Sequence, residues 1–244
     1  ALRLTYSFQD EPRSYTGGVF PTVDILQNGS DYLSFGPDVF TAGNLAQVKT
    51  YVATDEASFM IGKHNFLAGV QYETNEALNG FGAAMNGYYV YNSLDEFMAG
   101  GQPFAYGITY PFNGTEPFHA KMKYNQFSAY VQDQINFSDR FRMTAGIRME
   151  APIYPELKNN YNAKFADLKF KMADGSEVSY TTDQLPDAPV TVSPRVGFNW
   201  DVLGNQKVVL RGGTGYFIGR LPFVWLVSAV SNSGCGQYQY SYIQ

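Results

Sequence analysis

Cysteine and histidine are almost missing from this chain of 244 residues, which holds one cysteine and two histidines. Cys235 has no second cysteine with which to form an intrachain disulfide, and a cysteine-based metal site cannot be built. His64 and His119 are far apart in the sequence and lack the neighbouring ligands of a zinc site. We therefore expect no metal site and no bound cofactor.

Long apolar runs are missing as well. No stretch reaches the roughly 18 apolar residues that a membrane-spanning helix requires, and the longest run, 221–227, is short and contains Pro222. Yet 45% of the residues are apolar, while the mean hydropathy is −0.24. Strands that alternate apolar and polar residues produce this combination, because each apolar side chain is averaged with a polar neighbour.

An excess of positive charge and a nucleophile motif are also lacking. The net charge is −5, so a nucleic-acid role has no electrostatic basis. The chain has no G-x-S-x-G motif, and two histidines leave little for acid–base chemistry. The glycines of 211–219, RGGTGYFIG, miss the G-x-G-x-x-G spacing by one residue and fit a strand better than a nucleotide site. We expect a protein that is not an enzyme, and we assign no catalytic residue.

The most regular pattern that is present is a hairpin at 122–150 with a short turn at 138–140. Successive residues of a strand point to opposite faces, and here one face is apolar on both sides of the turn. The apolar set is Phe127, Ala129, Val131, Ile135 and Phe137, then Phe141, Met143, Ala145, Ile147 and Met149. Such strands exceed the roughly 5–6 residues usual in soluble sheets and suit a tilted membrane-spanning strand. The hairpin therefore predicts the wall of an outer-membrane β-barrel.

Two aspartates disturb this alternation. Asp133 falls on the apolar face of the hairpin, and the pattern leaves open whether it lies near the periplasmic rim or is turned inward by a bulge. Asp55 falls on the apolar face of another segment, which predicts a bulge there.

Further alternating segments flank the hairpin, at about 2–9, 46–61, 64–75, 192–202 and 207–218, and residues 237–242 begin an eighth strand. The connections alternate between short turns at Gly62, Asp139 and Asn205 and long loops at about 10–44, 76–121, 152–191 and 219–236. Because such barrels have short periplasmic turns and longer extracellular loops, we expect the long loops to lie outside the cell.

The predicted fold is all-β: a transmembrane antiparallel β-barrel with about seven to eight strands in this chain. Residues 1–244 are expected to form part of one barrel domain. Since the eighth strand lacks its periplasmic half, an arc of a larger barrel is favoured. The alternative is a small, self-contained barrel that serves as an adhesin or an enzyme.

Two segments, FSAYVQDQINFSDRFRMTAGIRME (127–150) and SPRVGFNWDVLGNQKVVLRGGTGYFIGRLPFVWL (193–226), resemble TonB-dependent outer-membrane receptors of the Oar-like or SusC-like kind. FPTVDIL (20–26), YLSFGPDVFTAGN (32–44) and SLDEFMAG (93–100) resemble the same group. The resemblance implies a barrel of the 22-stranded type with a plugged lumen, of which this chain would cover about a third. The plug domain, the energy-coupling box and the C-terminal strands of that family have no counterpart here, so TonB coupling is implied by the resemblance only.

The resemblance also implies a function and a location. We expect a receptor or transporter in the outer membrane of a Gram-negative cell that takes up a ligand, either a peptide or a glycan. The alternative is a receptor-like barrel that acts as a structural scaffold or assembly subunit of an outer-membrane complex. The expected partners are outer-membrane lipid and a surface lipoprotein or larger complex, and nucleic acid is not among them.

Aromatic residues of the second long loop are the candidates for contact with a ligand or partner. Tyrosine offers broad apolar area and a hydrogen bond at low entropic cost. Loops that pack on one another would use the same side chains, so both interpretations stay open. The candidates are Tyr88, Tyr89, Tyr91, Phe104, Tyr106, Tyr110 and Phe112.

A second group of residues is predicted to face the lumen: Arg142, Arg148, Glu150, Arg195, Asp201 and Arg211. The arginines could line a path for an anion or a peptide. They could instead form a ladder with Glu150 and Asp201 that packs against the plug. The ladder is favoured, because charges inside barrels usually pair.

Overall fold

The computed structural model describes residues 1–112, 114, 117–155, 157, 159–185, 187–219 and 221–243. The remaining positions fall in the predicted loops 76–121, 152–191 and 219–236 or at position 244, and the loop and domain assignments there lie outside the described residues. In chain order the elements are β1 (Leu2–Pro12), β2 (Thr22–Gln27), β3 (Ser30–Phe35), β4 (Leu45–Ile61), β5 (His64–Gly80), β6 (Tyr88–Tyr91), α1 (Leu94–Met98), β7 (Ala105–Pro111), β8 (His119–Asn136), β9 (Phe141–Ile153), α2 (Ala163–Ala166), β10 (Phe170–Lys171), β11 (Glu177–Val178), β12 (Thr191–Asp201), β13 (Val209–Gly215), α3 (Phe223–Ser231) and β14 (Gln237–Ile243).

Seven of these strands form one antiparallel sheet, which we call the wall. Its order is β1-β4-β5-β8-β9-β12-β13. Strands that follow one another across the short turns at Gly62, Asp139 and Asn205 pair directly, as the sequence predicts. Within the part of the chain that the structure describes, β1 and β13 pair on one side only, so the wall is an open arc. The predicted all-β, antiparallel fold with barrel strands is confirmed.

The two faces of the wall differ sharply in polarity. Leu2 and Leu4 are 72% and 73% exposed, and they share their face with Val131, Ile147 and Trp200. An exposed apolar sheet face of this extent indicates contact with lipid, and we call it the outer face. The opposite, inner face carries polar side chains, several of them buried, including Glu73, Gln126, Ser128 and Ser193.

Aromatic rings mark two levels of the outer face. Near the short turns, the rings of Phe59 and Phe66 lie 5.1 Å apart. At the other level, Tyr6 and Tyr51 lie 5.0 Å apart, and Tyr72 and Phe127 are paired on the neighbouring strands. We call Tyr6, Tyr51, Tyr72 and Phe127 the upper belt, because aromatic girdles flank the apolar band of a barrel at both interfaces.

The long strands continue well beyond the upper belt. β4 and β5 have 17 residues each and β8 has 18, whereas roughly 9–11 residues cross a bilayer. The strands therefore extend into the ranges 10–44, 76–121 and 152–191 that the sequence assigns to loops. The apolar signal ends at the membrane surface, but the hydrogen-bonded ladder does not.

The structure decides both questions about the aspartates of the apolar face. The pairing of β4 with β5 runs through Asp55 without a register shift, and Asp55 also pairs with Leu2 of β1, so the predicted bulge is wrong. Two unbroken ladders hold that residue on the outer face. Asp133 also lies in unbroken pairing, opposite Phe66 and Ala145, and it stays on the outer face near the short turns.

Five further strands form a second sheet with the order β14-β7-β6-β2-β3. We call it the extracellular sheet, because the sequence predicts that the long loops lie outside the cell. Two of its strands come from the loop 10–44, two come from the loop 76–121, and β14 follows the loop 219–236. β2 and β6 are parallel. The prediction that residues 237–242 begin an eighth wall strand is wrong, because β14 pairs with β7 over seven residues. The tyrosines of β14 meet the tyrosines of β7 there, and this cross-strand contact stabilises the alternative pairing.

Helix α3 packs on the inner face above the level of the upper belt. Leu226 and Val227 are buried against a group of apolar side chains on the wall, and Leu157 of another loop joins them. The wall side chains are Val48, Ala77, Ala120 and Met122. Among the helices of the described residues, none is long and apolar enough to span a membrane.

Candidate functional site

The register of the wall gathers the predicted inner-face residues into rows. All six alternate with the apolar set, so they share the inner face. Arg142 pairs with Asn199, and Asn199 pairs with Arg211. Since neighbouring strands lie about 4.8 Å apart, the two arginine backbones are only about 10 Å from each other.

Small residues form the floor next to these arginines. Thr144 pairs with Gly197, which pairs with Gly213. One row further, Gly146 pairs with Arg195, and the guanidinium of Arg195 lies 4.8 Å from the centre of the Phe217 ring. Because these glycines have no side chains, a hollow of about 350 Å³ lies beside them, lined in part by Arg148, Arg195 and Ser193.

One pair of the predicted ladder is present. Nε of Arg148 lies 3.1 Å from Oε1 of Glu150, and Gln126 donates to the same carboxylate at 3.0 Å. The Arg148 guanidinium also donates to Gln71 at 3.3 Å and lies 5.3 Å from the Tyr130 ring centre. These contacts hold Arg148 firmly in place.

The other predicted charges behave differently. Asp201 accepts from the backbone N–H groups of Gly204 and Gln206, each at 2.9 Å, and thus closes the short turn after β12. Arg142, Arg195 and Arg211 have no carboxylate within 4.0 Å, as far as the described residues go. Among the described residues, the inner face thus combines a paired Arg148 with three arginines that lack such an ion pair.

The candidate aromatic residues of the loop lie in or beside the extracellular sheet. Tyr89 and Tyr106 have ring centres 4.9 Å apart. Tyr106 is 6.3 Å from Tyr240, Tyr110 is 5.7 Å from Tyr238, and Phe112 is 3.8 Å from Tyr238. Tyr91 packs on Phe97 of α1 at 5.2 Å, and Phe104 is half-buried just before β7. Most of the candidate aromatic residues therefore pack against other residues in or beside the sheet.

Tyr88 lies on the face of that sheet opposite to Tyr89 and Tyr106. Its hydroxyl donates to Oδ2 of Asp24 at 2.5 Å, which links β6 to β2. Burial raises the pKa of Tyr88 to about 12, and the hydrogen bond to Asp24 adds to the shift. Burial also raises the pKa of Tyr106, with a further contribution from Tyr89.

One part of the aromatic surface stays open to solvent. Tyr110, Tyr238, Tyr240 and Tyr242 are about half exposed, and they share one face of β7 and β14. Sequence reasoning missed the three tyrosines of β14 as members of this surface. Their alternation at every second residue was the available signal, but it was assigned to a wall strand.

The acidic residues and histidines were also compared with the requirements of a metal site. Across the described ranges, no group of three or more His, Cys, Asp and Glu side chains is placed to hold a metal ion. Nδ1 of His64 lies 2.6 Å from Oδ2 of Asp133 on the outer face, and His119 lies at the far end of the wall on β8.

Comparison with known proteins gives one match. A family model described as "Outer membrane beta barrel domain" matches residues 4–242, nearly the whole chain. No curated protein and no solved structure matches the chain.

Proposed function

The chain belongs to the outer-membrane β-barrel family, and from this premise we propose that it is part of the wall of a TonB-dependent receptor or transporter. Its location is the outer membrane, and its lipid-facing surface is the outer face. The ligand that it takes up would be a peptide or a glycan. The proposal assigns no catalytic role to any residue.

The observation that carries the proposal is the open, polar inner face. Seven wall strands leave β1 and β13 unpaired to each other among the described residues, which supports a barrel with more strands. A larger barrel encloses a wide lumen that needs a plug or a ligand path. Arg142, Arg195 and Arg211 give that lumen a positive stretch, which suits the carboxylates of a peptide or of an acidic glycan.

The extracellular sheet supports the receptor part of the proposal. The half-exposed tyrosines of β7 and β14 form a rigid surface at the entrance, because their backbones are hydrogen-bonded into the sheet. Rigid tyrosine surfaces bind peptides and sugars with little loss of side-chain entropy. Helix α3 packs on the inner face of the same wall, through Leu226 and Val227.

A scaffold function is the second candidate, and the same sheet favours it. Strands from three separate segments of the chain fold into one layer, and such a preformed layer can hold a surface lipoprotein or another subunit. A scaffold needs the tyrosine surface but has no need of the inner-face arginines. The two functions therefore depend on different residues of this chain.

An uptake experiment separates these functions. The gene for the full-length protein would be deleted and complemented in its host, which is then grown on peptide mixtures or on glycans as sole nutrient. A transporter predicts that growth on one of these is lost in the deletion strain and in a strain without TonB. The triple variant Arg142→Gln, Arg195→Gln, Arg211→Gln should restore such growth only in part.

The scaffold function predicts another outcome. Growth would not depend on TonB, and proteins that co-purify with the wild type would be lost when Tyr238, Tyr240 and Tyr242 are replaced by serine. If all strains grow equally and the co-purifying proteins do not change, both the transporter function and the scaffold function are overturned.

A further inference from the structure

Three lysines lie on the outer face of the wall, directly above the upper belt. Lys49 on β4 pairs with Glu76 on β5, and Glu76 pairs with Lys123 on β8. Two residues further along the strands, Gln47, Leu78 and Lys121 form the next row. We call Lys49, Lys121 and Lys123 the lysine patch. All three side chains are exposed.

The height of the patch corresponds to the lipid headgroups. Tyr51 of the upper belt is ten residues from the end of β4 at Ile61, and Lys49 is twelve. At about 3.4 Å per residue and a tilt of about 40°, Tyr51 lies about 26 Å above Ile61, and Lys49 about 31 Å. The apolar band of a barrel is about 25 Å tall. The lysines thus begin where the hydrocarbon ends.

The local charge balance leaves positive charge available. Nζ of Lys123 lies 3.0 Å from Oε1 of Glu76, so this pair is neutral. Nζ of Lys49 lies 5.9 Å from the Phe8 ring centre, and neither Lys49 nor Lys121 has a carboxylate within 4.0 Å in the described part of the chain. Asp10, at the edge of the same level, accepts from Gln47.

The shape between these side chains can hold a headgroup. A shallow groove of about 530 Å³ runs between the lysines, with Leu78 at its floor. In the next row of the register toward the short turns, Tyr51 of the upper belt pairs with Thr74, so the groove borders the level at which the acyl chains begin. A groove that combines ammonium groups at headgroup height with an apolar floor fits a lipid that carries a phosphate.

From this arrangement we propose that the lysine patch binds the phosphate groups of anionic lipids in the outer leaflet. Lys49 and Lys121 supply the charge, while Lys123 lies beside them and exchanges its contact between Glu76 and the phosphate. The site belongs to the membrane-facing surface and is separate from the inner face, so it does not depend on the proposed uptake function.

Native mass spectrometry of the full-length protein in detergent provides the test. Dioleoyl phosphatidic acid is the phosphate-bearing probe, and dioleoyl phosphatidylcholine, with the same chains, is its zwitterionic counterpart. We expect phosphatidic acid to bind at least tenfold more tightly. The variant Lys49→Gln, Lys121→Gln, Lys123→Gln should lose that preference, and the variant with arginine at all three positions should keep it.

A matched control carries the same change of charge elsewhere. Lys164, Lys169 and Lys171 are exposed lysines of an extracellular loop, and replacing them with glutamine should leave binding unchanged. Equal loss in both glutamine variants would overturn the proposal, as would equal binding of the two lipids. Inorganic phosphate that displaces the lipid at millimolar concentration would also overturn it, since the site would then be one for soluble anions.

Discussion

His64 and Asp133 show how a charged side chain is kept on a lipid-facing surface. Strict alternation directs Asp133 outward, and unbroken pairing on both sides prevents it from turning inward. Nδ1 of His64 lies 2.6 Å from Oδ2 of the carboxylate, and His64 stacks on Phe66 with ring centres 5.7 Å apart. The pair lies near the short turns, where polar side chains can reach the interface.

Replacing His64 alone should therefore lower the free energy of unfolding more than replacing both His64 and Asp133. His64→Ala leaves the Asp133 carboxylate without its partner, and we expect a loss of about 1–3 kcal/mol in the free energy of unfolding. The double variant His64→Ala, Asp133→Ala should recover much of this loss. Urea unfolding of the full-length protein in phosphatidylcholine vesicles measures the free energy of unfolding of the single and of the double variant. A double variant as unstable as His64→Ala would contradict the argument.

Gly69 is required by a close contact on the inner face. A Cβ atom at this position would lie 2.5 Å from the ring of Tyr130, whose hydroxyl donates to Glu56. We expect Gly69→Ala to displace the ring and to destabilise the wall by about 1–3 kcal/mol. Gly197→Ala is the control, because its Cβ would come no closer than 3.5 Å to a described atom. Equal unfolding midpoints for both variants would refute the prediction.

At the scale of elements, helix α3 is held by a small apolar cluster. Leu226 is 3% exposed and Val227 is fully buried, whereas Trp225 is 66% exposed. Because only one side of the helix contacts the wall, its attachment should be sensitive to Leu226 and insensitive to Trp225.

We expect Leu226→Ala to weaken this attachment by about 2–3 kcal/mol. The backbone amides of residues 223–231 should then exchange with deuterium roughly a hundredfold faster, while those of β5 and β8 stay protected. Trp225→Ala serves as the control and should leave exchange unchanged. Accelerated exchange in the control but not in Leu226→Ala would show that the helix packs through its other side.

The extracellular sheet should respond to alkaline pH through Tyr88. Its pKa is raised to about 12, above the ordinary value of 10.0, mainly by burial. A raised pKa of an acid means that the protonated form is stabilised by folding, so this contribution is complete below pH 10 and is lost as the pH rises through 12.

Ultraviolet titration of tyrosinate measures this shift. The difference between wild type and Tyr88→Phe should be one tyrosine that ionises near pH 12. Asp24→Asn should lower that value only in part, because burial is the larger cause. Ionisation of Tyr88 near pH 10 in the wild type would contradict the burial of its hydroxyl.

At the scale of the whole molecule, the open wall predicts a larger protein. Among the described residues, β1 and β13 each pair on one side only, and this suits an arc rather than a closed small barrel. The intact mass of the protein from outer membranes should be roughly four times the 27.2 kDa of this chain, as a 22-stranded receptor requires. A mass near 27 kDa would leave a small barrel with large loops.

The sequence alone was sufficient to predict the strands of the wall and their two faces. The alternation of apolar and polar residues follows from the pleat of a strand, which is a local property, and it predicted the outer face, the short turns and the shared face of Arg142, Arg148 and Arg195. It wrongly predicted a bulge at Asp55, because the hydrogen bonds to neighbouring strands, and not the local pattern, fix the register there.

The positions of the loops depend on contacts between segments that are distant in the sequence. Tyr238, Tyr240 and Tyr242 alternate as a wall strand would, yet β14 pairs with β7, more than a hundred residues away. The burial of Leu226 against the wall and the contact between Tyr88 and Asp24 are likewise long-range. Alternation states that a segment is a strand with two unlike faces, but the partner is chosen by packing between distant segments, which no local pattern contains.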